Sequence, residues 1–222
     1  MRRGAALLGL AALLALAVPA PAGSQVHGAL LSWGSHENFA PIRIDELARP
    51  LFEGFPQPSL RFSVDSFELT YRSTDFDGSP AVIRALLFVP RYAEADSRPV
   101  LVFGSGTTGI AAACAPSREV PEVRRWGHYR ANMLAYAASG FITVFPDYLG
   151  FNDAERPQRY FSRQAEGHAL LDAARAVRAF FGEFPQKVRP SGAVFAAGYS
   201  QGGHAAFAAA DLRSSYAPEV GL

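Results

Sequence analysis

The stretch Ala193-Val194-Phe195-Ala196-Ala197-Gly198-Tyr199-Ser200-Gln201-Gly202 decides how the rest of this chain is read. An unbroken apolar run leads into a Gly-x-Ser-x-Gly turn, and an Ala-rich helical stretch from His204 to Leu212 follows. In that strand-turn-helix order a serine projects from the edge of a sheet as a nucleophile. Such a serine holds a strained backbone conformation, and side chains flanking it would collide. Gly198 and Gly202 remove those side chains, which makes Ser200 the candidate nucleophile. The competing reading is an ordinary serine in a glycine-rich turn, and it is the strand before and the helix after that favour the first.

Upstream of this turn, fully apolar runs alternate with helical patterns, the texture of buried parallel strands joined by crossover helices. Val100 to Phe103, Phe141 to Phe145 and Ala193 to Ala197 read as strands. One helix is expected from Arg125 to Ser139, with Trp126, Met133, Leu134 and Ala137 on one face and Gly140 as its stop. A second runs from Ser162 to Phe181, with Leu170, Ala173, Ala174, Val177, Phe180 and Phe181 on one face and Asp172, Arg175 and Arg178 opposite. Nothing after Leu212 reads as a further strand, so the sheet is expected to be open beside Ala193 to Ala197.

Earlier, Phe67, Leu69 and Tyr71 alternate with polar residues, and Asp77-Gly78-Ser79-Pro80 supplies a turn before the run Ala81 to Val89, which predicts a hairpin. Residues 23–62 carry no sustained period and read as an irregular lead-in with one short helix around Asp45 to Ala48. Residues 63–222 then form the main domain. At the start, Met1-Arg2-Arg3, the apolar run Ala5 to Val18 and Ala20-Pro21-Ala22-Gly23 match the three regions of a Sec-type signal peptide. Cleavage is expected after Ala22, giving a secreted, periplasmic or extracellular protein. The apolar run is shorter than the roughly 20 residues that cross a bilayer, which disfavours an uncleaved membrane anchor.

At 222 residues, 49% of them hydrophobic, the chain supports a single domain. A net charge of +1 with interspersed acids and arginines gives no basic stripe, which disfavours nucleic acid as a partner. Cys114 is the only cysteine, either half of a pair whose partner lies elsewhere or a buried thiol acting as a small hydrophobe. Oligomeric state is not legible.

Attack by serine on an ester places negative charge on the carbonyl oxygen, and hydrogen-bond donors must already point there. The Gln201 amide is one candidate, and the other is expected from the loop after Val100 to Phe103, Gly104-Ser105-Gly106-Thr107-Thr108-Gly109. Thr107 is favoured, with Gly106 next. The same loop lacks the Gly-Lys-Ser/Thr ending of a phosphate cradle. His27, His36, His128 and His168 precede Ser200, while His204 lies one helical turn beyond it and reads as a helix-surface or packing residue. Asp147, at the end of a strand, reads as a structural acid of its loop.

Four motifs occur in order: Ser105-Gly106-Thr107-Thr108-Gly109-Ile110 with Cys114-Ala115-Pro116-Ser117; Pro146-Asp147-Tyr148-Leu149-Gly150; Glu166-Gly167 to Ala176 with Leu171-Asp172-Ala173; and Gly198 to Ala205. Together, over roughly residues 65 to 220, they resemble the secretory lipases and related serine esterases of the α/β-hydrolase fold. The resemblance implies a mostly parallel sheet, hydrolysis of a small-molecule or lipid carboxylic ester, a Ser-Asp-His triad, and neither metal nor organic cofactor. Two departures stand out. Ser105 occupies a place where such proteins commonly carry histidine, and the family's later strands with its catalytic Asp and His have no counterpart up to Leu222. The chain therefore reads as an ester hydrolase truncated after the elbow helix. The alternatives are an inactive or ligand-binding remnant with a hydrolase-like core, and a peptidase of the same fold.

Overall fold

The computed structural model describes residues 26–120, 126–153 and 155–222. The expected signal peptide, residues 1–22, and Arg125 lie outside the described residues. Six strands form one sheet in the order β1-β2-β3-β5-β4-β6. They are β1 Leu30–Phe39, β2 Val64–Thr74, β3 Pro80–Pro90, β4 Asp96–Gly104, β5 Ile142–Pro146 and β6 Val188–Gly198. β1, β2, β3 and β5 pair antiparallel in succession, whereas β5 with β4 and β4 with β6 are parallel. Strands β2, β4, β5 and β6 thus share one direction, with β1 and β3 opposed.

Both faces of the sheet are covered. Helix α1 (Pro41–Ala48) and helix α2 (Tyr129–Ser139) pack on one face, and helix α3 (Arg163–Glu183) with helix α4 (Gln201–Tyr216) on the other. Strand β3 shows why its sequence is apolar throughout. Ile83, Ala85, Leu87 and Val89 face α3 while Leu86 and Phe88 face α2, because alternate side chains point to opposite faces and both are buried. The expected hairpin is the β2–β3 pair, in register from Val64 opposite Pro90 to Thr74 opposite Pro80.

Part of the lead-in is regular. Residues 30–39 form the antiparallel edge strand β1, and the short helix begins at Pro41 rather than near Asp45. Two register shifts, between Leu30 and Ser32 and between Ser35 and Glu37, interrupt the alternation from which a strand is read. Tertiary packing sets its place: Trp33 meets Phe180 and Phe184 with ring centroids 5.3 and 4.7 Å apart. β4 is also longer than Val100 to Phe103, and its pairing with β6 shifts register between Arg98 and Val100, at Pro99, which has no amide to donate. β6 is the terminal strand among the described residues, and the chain folds back so that the Val194 amide donates to the Gly221 carbonyl at 2.8 Å. No helix among the described residues is long and apolar enough to cross a membrane.

Candidate active site

The three strands paired in parallel, β4, β5 and β6, end together, and the chemistry-bearing loops gather there. Ser200 stands between β6 and α4 with φ 52° and ψ −115°. A positive φ is costly for a side-chain-bearing residue and persists only where the surroundings impose it. The imposition comes from glycine. A Cβ on Gly198 would lie 2.2 Å from the Gly202 carbonyl, and one on Gly202 would lie 1.8 Å from the Gly104 carbonyl oxygen. Gly104 is equally crowded, its Cβ position being 2.8 Å from both Gly202 Cα and the Tyr148 hydroxyl. The turn is therefore a contact among three glycines, of which the sequence reading singled out two. Gly104 was visible only as the first residue of a glycine-rich loop.

That loop is pinned on its buried side. The Tyr148 hydroxyl donates to the Ser105 carbonyl at 2.8 Å, and Thr108 Oγ1 donates to the Cys114 carbonyl at 2.7 Å. Burial pushes the Tyr129 phenol up, and the Gly106 backbone beside it works against that push. A Cβ on Gly106 would come within 2.4 Å of the same hydroxyl. Gly106 is buried and lies against that hydroxyl, and the Gly106, Thr107 and Gln201 amides have no partner among the described hydrogen bonds. Thr107 is exposed, with Oγ1 3.0 Å from the Tyr160 hydroxyl. Ile110, Tyr160, Phe161 and Tyr199 add apolar surface, each about half exposed or more.

Buried under the turn, Gln201 Nε2 donates to Glu166 Oε1 at 2.7 Å, and His204 Nδ1 lies 2.5 Å from Glu166 Oε2. The His204 ring also packs against Phe161 at 4.8 Å. In the sequence Glu166 stands only as the first residue of the Glu166-Gly167 motif, with no role attached to it. Asp147 is fully buried and spoken for, accepting from the Ser117 amide and hydroxyl, both at 2.7 Å, and from Asn152 Nδ2 at 3.1 Å. Burial pushes its carboxyl up to about 6.

His27 and His168 serve other contacts. His27 Nδ1 lies 2.6 Å from Thr74 Oγ1, His168 Nδ1 lies 3.0 Å from the Thr74 carbonyl, and His128, at φ 53°, precedes α2. Among the described residues no imidazole hydrogen-bonds Ser200, and no cluster of His, Cys, Asp and Glu could hold a metal ion. Cys114 is a free, half-buried thiol beside Gly109.

Comparison with known proteins agrees with the fold. The secretory lipase family matches residues 130–222. Two secreted triacylglycerol lipases of Malassezia globosa are 28% identical over 183 residues and 31% identical over 164 residues. These alignments take in 75% and 70% of this chain but 35% and 33% of the lipases, so the chain spans about a third of their length. Among solved structures, the rice cell wall degrading esterase LipA from Xanthomonas oryzae superposes with a TM-score of 0.68 at 24% identity, over 87% of this chain and 47% of that one. A putative hydrolase from Legionella pneumophila gives 0.72 at 18% identity, over 86% and 49%. By its topology and these likenesses, the chain has the α/β-hydrolase fold and, over residues 130–222, resembles the secretory lipases.

Proposed function

We propose that the chain carries the nucleophile and oxyanion-stabilising part of an exported carboxylic-ester hydrolase of lipase or esterase type. The carrying observation is Ser200 held at positive φ by the contact of Gly104, Gly198 and Gly202. In this reading Ser200 Oγ attacks the ester carbonyl. The Gln201 and Thr107 amides, neither partnered among the described hydrogen bonds, receive the oxyanion. Gly106 is the weaker candidate because it is buried against the Tyr129 hydroxyl, whereas Thr107 is exposed. The exposed Ile110, Tyr160, Phe161 and Tyr199 favour a substrate with an apolar acyl or alkyl group. No imidazole among the described residues meets Ser200, so none of them is assigned as the histidine of a triad. Residues 1–22 act as the export signal, consistent with relatives named as secreted.

The natural full-length protein tests this reading. Its wild-type form should hydrolyse p-nitrophenyl esters and take up an organophosphonate probe, and Ser200→Ala should abolish both. Hydrolysis or labelling that survives the substitution refutes the assignment.

A further inference from the structure

The contact of three glycines shapes the turn, and the anchoring of the first turn of α4 comes from a neighbouring helix. Helix α4 begins without a side-chain cap, and the strained Ser200 sits at its N-cap. The hold comes from across the sheet face. Glu166, in the first turn of α3 and only 1% exposed, receives three donors from three different places. Oε1 accepts from the Phe161 amide at 2.9 Å and from Gln201 Nε2 at 2.7 Å, while Oε2 faces His204 Nδ1 at 2.5 Å. Phe161 is itself at φ 56°, one of three such residues besides glycine among those described, and Ser200 is another. One buried carboxylate thus ties together two strained backbone positions.

We infer that Glu166 is a positioning residue for the reaction, fixing the Gln201 amide for the oxyanion and seating the Phe161 wall beside it. It touches neither substrate nor reacting atoms. Its action runs through Gln201, the residue directly after Ser200, and through His204 on the next helical turn, so both sides of the first turn of α4 are anchored to the same group. A buried carboxylate is costly unless its oxygens are satisfied, and here all the donors come from the pieces to be aligned. The arrangement also gives His204 a role its sequence position did not suggest. With Nδ1 against this carboxylate, His204 is a second anchor of the same turn, and its ring makes no hydrogen bond to Ser200 among the described residues.

This inference rests on Ser200 being the nucleophile, and two readouts separate the claims. In the full-length protein, Glu166→Ala should lower kcat about 10- to 100-fold with KM within about twofold, since a misplaced group of order 1 Å costs rate rather than affinity. Glu166→Gln retains an oxygen for Phe161 and Gln201, and should recover kcat to within about fivefold of wild type. Independently of activity, amide hydrogen exchange in residues 199–204 should quicken at least about tenfold in Glu166→Ala, with β2 and β3 as protected as before. If Glu166→Ala does not fold, Gln201→Leu keeps the main-chain amide, cuts only the side-chain link, and should show the same signature more weakly. Unchanged exchange in a folded Glu166→Ala, a loss carried by KM, or a Gln variant no better than Ala overturns the inference. Hydrolysis surviving Ser200→Ala removes the proposed function instead, and the exchange result still decides what Glu166 holds.

Discussion

The turn around Ser200 and the antiparallel meander β1–β3 are held by opposite means. At the turn, backbone lies directly on backbone, and Gly104, Gly198 and Gly202 fit because they have no side chains. In the meander, side chains do the work: Trp33 and Phe67 of β1 and β2 close on Phe180 of α3, with centroids 5.3 and 4.9 Å from its ring. One region should therefore be broken by adding atoms and the other by removing them. The difference follows from what each must achieve, since a strained serine has to be forced into place by close contact, whereas an edge strand needs only enough buried apolar area to stay paired.

The largest effect should come from adding a single methyl group at the turn. Gly202→Ala would put Cβ 1.8 Å from the Gly104 carbonyl oxygen and should cost more than about 4 kcal/mol in a urea unfolding experiment, with loss of ester hydrolysis. Its neighbour Gly203 is the control, because a Cβ there meets nothing nearer than 3.7 Å. Gly203→Ala should be neutral or stabilise α4 by up to about 1 kcal/mol, alanine being the better helix former. If both substitutions behave alike, glycine contact is not what holds the turn.

Removing atoms from the meander comes next. Phe180→Ala should destabilise the fold by about 3 to 4 kcal/mol by leaving a cavity among Trp33, Phe67 and Phe184, while the turn itself keeps its geometry. Hydrolysis by the remaining folded fraction at low temperature should be near wild type. A specific activity that falls with stability would show that the two regions are mechanically one.

The smallest predicted effect concerns Asp147, where the regions meet, its amide donating to the Arg84 carbonyl of β3 at 2.8 Å. Burial raises its carboxyl from 3.8 to about 6 in the folded protein. The folded state then holds a proton that the unfolded chain has released across that interval. The stability gained from the neutral carboxyl is complete below about pH 4 and lost as pH rises through 6. Wild-type stability measured against Asp147→Asn should fall by about 2 to 3 kcal/mol between pH 4 and pH 7. A flat difference would mean that the Ser117 and Asn152 donors hold the carboxylate charged throughout.

Legibility differed along the same line. The three strands that converge on the site, the helices between them and the β2–β3 hairpin could all be read from the sequence, because each is long or regular enough for its periodicity to stand alone. β1 could not, since two bulges break its alternation and its partners lie far along the chain. The nucleophile turn was legible as Gly198-Tyr199-Ser200-Gln201-Gly202, but the parts that Gly104, Tyr129 and Glu166 play in holding it were not. Each acts through a neighbour distant in sequence: Glu166 reaches Gln201 across 35 residues.

What the sequence determined by itself is local: which residue must take a strained conformation, which neighbours must lack side chains, and which runs are buried on two faces. These follow from steric exclusion and from the period of the backbone, both properties of short segments. Tertiary structure alone decided the rest. It set a third glycine against the turn, buried Gly106 against the Tyr129 hydroxyl while leaving Thr107 exposed, and brought a carboxylate from α3 under the first turn of α4. Those choices rest on distances of a few ångströms between segments whose separation along the chain carries no information about their separation in space.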